Sequence, residues 1–159
     1  MGYILLPLAI LSVTFGMQYL FAQQASNVPG AGIVGLMDTR AAVVARQIEV
    51  YGAACESAAL ASPGTISNAL SVTLPDGAAT PPQANCMATA NPGGGRRVYA
   101  YMPGIGGAYG QVAADTQYSA SWYRVSTAGQ AASLVGAAAI TVPATIPVGA
   151  ITLSIVVNP

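Results

Sequence analysis

The chain has 159 residues, of which 53% are hydrophobic and only 6% charged, with no His. Its five cations are all Arg (Arg40, Arg46, Arg96, Arg97 and Arg124) and are balanced by five carboxylates, too few for the basic stripe that draws nucleic acid from solution. A charged fraction far below the roughly 25% of ordinary soluble domains, with mean hydropathy of +0.55, sets the chain apart from a cytosolic surface and leaves length for one modest domain.

From Gly2 to Ala22 no side chain is charged, and about 20 residues of helix span a hydrocarbon layer of roughly 30 Å. The sequence therefore predicts a transmembrane anchor over 1–24. A removable signal peptide is the alternative, with small residues at Phe21-Ala22-Gln23-Gln24-Ala25. Against it, the leading residues carry no Lys or Arg and the apolar run is longer than a usual signal core. Charge encodes orientation poorly, since the first Arg is Arg40. Residues 25–32, with Pro29, Gly30 and Gly32, read as a hinge, and 33–159 as a globular domain.

The domain opens on an amphipathic helix expected from Ile33 to about Ala59, with Met37, Ala41, Val44, Ile48, Tyr51 and Cys55 spaced 4, 3, 4, 3, 4 along one face. Between Ser62 and Gly95 the turn formers Pro63-Gly64, Pro75-Asp76-Gly77, Pro81-Pro82 and Asn91-Pro92-Gly93 punctuate the chain. Within it, Leu70 to Leu74 alternates like a short strand. Further strands are expected at 97–102, 120–125 and 151–157, and Ala-rich 128–139 reads as a short helix. The fold class is α+β: an N-terminal transmembrane helix, then an amphipathic helix packed on a small antiparallel sheet.

Cys55 and Cys86, 31 residues apart, suit a disulfide made in an oxidising compartment. That pairing places the globular domain on the periplasmic or extracellular side of the inner membrane. Two thiols without His fall short of a zinc shell, so no metal and no other cofactor is expected.

Without His or Lys, neither Ser-His-Asp nor Cys-His relays nor Lys nucleophiles can be assembled. Asp38, Glu49 and Glu56 fall off the helix stripe and Asp76 sits in a turn, so solvation explains them better than a glycosidase pair does. No enzyme and no small-molecule substrate is expected. Gly93-Gly94-Gly95-Arg96-Arg97 lacks the Lys and Ser/Thr of a phosphate loop and reads as a flexible turn. Its Arg96 and Arg97 are candidate contacts for an anionic lipid head group or a partner carboxylate. Tyr99, Tyr101, Tyr109, Tyr118, Trp122 and Tyr123 crowd one region; they read chiefly as strand core, with Trp122 and Tyr123 as candidate surface contacts for glycans or another surface.

An apolar N-terminal helix, a helical continuation, a small strand-rich part with one disulfide and no catalytic set together resemble proteins of type IV pilus systems. A major pilin precursor would carry a short basic leader and an acid near the start of its apolar helix, which this sequence lacks. The GYILLPLAILSVTFG segment followed by Gln-Gln, the Ala-rich helix near Val50-Tyr51-Gly52, Ser121-Trp122-Tyr123 and Ile146-Pro147-Val148-Gly149-Ala150-Ile151 more closely resemble the PilM family of type IVB thin-pilus and conjugation systems. The resemblance implies a membrane-anchored component of thin-pilus biogenesis, expected to be an accessory or minor structural protein in contact with other pilus-assembly proteins or like subunits; the alternatives are a filament-forming pilin subunit and an anchored adhesin or receptor using the aromatic cluster. It carries over no active-site residues.

Overall fold

A computed structural model describes residues 32–157. Contacts divide the chain into Met1–Thr39 and Arg40–Pro159, and the architecture below is that of the second unit. The expected anchor, 1–24, lies outside the described residues. Among those described, no helix is long and apolar enough to cross a membrane, because the one long helix interrupts its apolar residues with Asp, Glu and Arg. This corrects the expected transmembrane helix of the fold class and the single-pass inner-membrane placement with it.

Helix α1 runs Ile33–Ala61, within two residues of its expected end. Ala favours helix, and Pro63 with Gly64 at φ 73° stops it. The buried positions Ala41, Ala45, Ile48, Gly52, Cys55 and Ala59 repeat at 4, 3, 4, 3, 4, so the stripe is real but shifted toward the smaller residues. Met37, expected on it, is 63% exposed.

Six strands follow: β1 Asn85–Ala90, β2 Arg96–Pro103, β3 Trp122–Thr127, β4 Gln130–Ser133, β5 Ile140–Thr141 and β6 Ala150–Val157, with a short helix α2, Ala108–Asp115, between β2 and β3. They form one antiparallel sheet in the order β1-β2-β6-β3-β4-β5. The last strand thus enters the middle, paired to β2 over its whole length, Arg96↔Val157 to Pro103↔Ala150, and to β3 at Trp122↔Leu153 through Arg124↔Ile151. The sheet curls, which brings the Thr141 carbonyl of edge strand β5 to 3.4 Å from the Tyr99 hydroxyl on β2.

Alternation gives the sheet two apolar faces. On one, Val98, Ala100, Met102, Ile151, Leu153 and Trp122 pack with the α1 stripe. Gly52 lets the two layers approach there: a Cβ would stand 3.1 Å from the Trp122 ring and 3.2 Å from Leu153, so both side chains would have to give way. Cys55 on α1 and Cys86 on β1 are joined as a disulfide with Cα atoms 5.7 Å apart. On the other face, Tyr99, Tyr101, Val125 and Ala131, with Ala150 of β6, are covered by Val142 and Ile146, from the stretch linking β5 to β6.

Two expected elements differ. Leu70–Leu74 keeps its alternation, with Leu70, Val72 and Leu74 packed against the helix-side core, but it is an irregular strap and not a strand; Leu70 N–H donates to the Cys86 carbonyl at 2.7 Å, and Ser67 bridges Ala88. The expected helix 128–139 is instead the turn and return strand of a hairpin, pairing Val125 with Ala131. Gly129 at φ 83° and Gly136 at φ 78° supply left-handed turns that break a helix, and pairing to β3 overrides the Ala preference.

Candidate functional site

The adjacent arginines that open β2 point to opposite sides of the sheet, as strand alternation demands. Arg96, 3% exposed, turns toward the C-terminal end of α1. Its guanidinium donates to the Ala59 carbonyl and, at 3.0 Å, to that of Thr65. A helix end exposes carbonyls that need donors and favours a cation, so Arg96 closes α1 from the sheet face packed against it. This corrects its reading as a surface contact.

Arg97 is half-buried on the other side. It lines a cleft of about 430 Å³ with Thr89, Asn91 and Gly93 from the β1–β2 hairpin, Tyr99 from β2, and Ile140 and Thr141 from β5. Its Nε is buried without a hydrogen-bond partner. Burial pushes the Tyr99 phenol above its ordinary pKa, opposed by the neighbouring Arg97 guanidinium. The cleft exists because the sheet curls, so no linear motif announces it.

Trp122 is 5% exposed and lies against Gly52, which corrects its reading as a surface contact: the indole is core. Tyr123, on the opposite side of β3, is partly buried beside Val125 and Ile140. Tyr99 and Tyr101 are also buried, so no open aromatic platform forms from this cluster.

Tyr109 marks a junction missed by sequence reasoning. Its hydroxyl donates to the Gly149 carbonyl at 2.7 Å, which also accepts the Gly104 N–H at 3.1 Å. The Arg124 guanidinium stacks 4.9 Å from the Tyr109 ring centre. A Cβ at Gly104 would fall 2.6 Å from the Tyr109 hydroxyl and 2.8 Å from the Gly149 carbonyl, so only glycine fits. Its sequence signal was the Gly104-Ile105-Gly106-Gly107 run.

On the outer side of α1, Val43, Val50, Leu74 and Pro81 line an apolar groove of about 330 Å³ with Arg46 at its rim. Arg46 pairs with Glu49 at 3.2 Å. Burial raises the Glu49 pKa above its ordinary value; the hydrogen bond from Arg46 opposes this and Asp115 adds to it. No group of three or more His, Cys, Asp or Glu gathers to hold a metal among the described residues.

The PilM family model matches residues 20–153, most of the chain and nearly all of the body just described. The chain belongs to the PilM family. No curated protein and no solved structure matches it significantly. PilM membership makes it a pilus-related protein, and the matched span takes in α1, both disulfide cysteines, the Arg97 cleft and the Tyr109 junction.

Proposed function

We propose that this PilM-family chain is an accessory or minor structural component of type IVB thin-pilus biogenesis, acting by contact with other pilus-assembly proteins and not by catalysis. The family match over 20–153 carries the reading. The composition supports it: without His or Lys the common nucleophile and base relays cannot form, while a small-residue exterior allows close approach of neighbouring chains.

In-frame deletion in a piliated host carrying the gene should abolish or sharply reduce filaments seen by electron microscopy, with recovery when the full chain is restored. Unchanged filament number and conjugation frequency would overturn the proposal. Presence of the chain throughout sheared, purified filaments would make it a major subunit instead of an accessory.

A further inference from the structure

We propose that the cleft beside Arg97 is a carboxylate-binding site whose ligand is an acidic side chain on an extended segment of a partner protein. Three features of the cleft converge on that chemistry.

The first is an unanswered charge. No carboxylate pairs with Arg97 among the described residues, where the Arg46–Glu49 contact is the only ion pair, and none lines the cleft. A buried donor left unpaired is costly, and Arg97 Nε is such a donor. Arg96 has the same orphaned Nε, but its terminal nitrogens are committed to two carbonyls and it faces the other side. Of these two buried-side guanidinium groups, Arg97 is therefore the one with capacity for an outside anion. With Nε enclosed, the edge it offers a ligand is that of its two terminal nitrogens, a two-donor edge that matches a carboxylate's paired oxygens.

The second is charge balance. Around Arg97 the lining is neutral: the hydroxyls of Thr89, Tyr99 and Thr141 and the amide of Asn91. With no second cation, a monoanion is compensated and a phosphate dianion is not. The Thr141 hydroxyl can turn to donate to a carboxylate oxygen, and those of Thr89 and Tyr99, which make long bonds to the Arg97 and Thr141 carbonyls, can exchange them for a charged acceptor.

The third favours a peptide over a free acid. At about 430 Å³ the cleft is much larger than a carboxyl group and falls within the range of ligand sites. One wall is β5, whose outer edge has no strand partner among the described residues. An extended segment can place main-chain groups along such an edge while one side chain enters the adjoining cleft.

The test uses the isotope-labelled full chain and follows the Arg97 Nε–Hε resonance by NMR. The probe is the blocked tripeptide acetyl-Gly-Glu-Gly-amide, with its Gln counterpart, glucuronate and inorganic phosphate as competing arms. The Glu peptide should shift that resonance saturably with Kd about 1 mM or tighter. Binding should weaken at least about tenfold in Arg97→Gln, fall less in Arg97→Lys, and stay unchanged in Arg46→Gln, whose exposed cation lies elsewhere.

No saturable shift in the wild-type chain, or an equal shift from the Gln peptide, overturns the proposal. Tighter binding of phosphate overturns the carboxylate assignment, and tighter binding of glucuronate overturns the protein partner. The wild-type titration decides even if Arg97→Gln fails to fold. Carboxylate binding here is independent of whether deletion of the gene affects filaments, so the two proposals fail separately.

Discussion

The two faces of the sheet are closed by different means. The face toward α1 is sealed by a long helix whose contact stripe is mostly Ala, Gly and Cys, with the Trp122 ring filling the space left at Gly52 and a disulfide fixing Cys55 to the edge strand. No helix packs on the opposite face among the described residues; there Val142 and Ile146 from an irregular link cover Tyr99, Tyr101 and Val125, beside Ala150 of β6. Small residues bring regular elements close together, so their fit depends on one large ring and one covalent bond. Bulky tyrosines let a loosely structured segment serve as cover, and the same face leaves the Arg97 cleft open.

Truncating Trp122 should expose this asymmetry most. Trp122→Ala leaves a large void beside Gly52 and should cost about 3–5 kcal/mol in urea unfolding. Next, Cys55→Ala with Cys86→Ala should lose about 3–4 kcal/mol by the same measurement, as expected for releasing a loop of this length. On the far face, Ile146→Ala should cost about 2–3 kcal/mol, at the low end for a buried Ile, because the irregular link can settle into the gap. A loss equal to that of Trp122→Ala would break the comparison by showing both faces to be packed alike.

The smallest effect is alkaline. Burial raises the pKa of Tyr51, on the helix side, and Tyr99, on the far side. Each folded-state value lies above the unfolded value near 10, so the folded chain retains protons that the unfolded chain releases. The stability they contribute is present below about pH 10 and lost as pH rises through the folded values. Tyr51→Phe and Tyr99→Phe should each flatten the fall of melting temperature above that pH. A fall unaltered in both variants would show that neither phenol carries it.

The helix-side layer was the more legible in sequence for the same physical reason that it is the more regular. A 3.6-residue repeat placed Ala41, Ile48 and Cys55 inside, and alternation found most of β2, β3 and β6. Cys55 and Cys86 were paired on spacing and setting alone. The far face depends on curl, which brings Thr141 to Tyr99 across four strand pairings, and no local pattern encodes that approach. Strand β1, Asn85-Cys86-Met87-Ala88-Thr89-Ala90, was missed because Asn and Ala are poor strand formers and it is held by its neighbours.

The candidate site was legible in its residues and not in its geometry. Arg96 and Arg97 stood out beside a glycine run, yet a turn reading leaves both in solvent. Strand pairing to β6 instead sends one to cap α1 and the other into the cleft. Trp122 was ambiguous between core and surface until Gly52 showed where its ring fits. The apolar N-terminal segment gave the strongest compositional signal and lies outside the described residues, so its length argument has no helix here to support it.

The helix-on-sheet body depends on α1 being tied to β1, and peptide mass mapping of non-reduced protein isolated from its native host tests that tie directly. The structure predicts a linked pair of peptides containing Cys55 and Cys86 that separates on reduction. Free thiols at both positions in folded, native protein would contradict it.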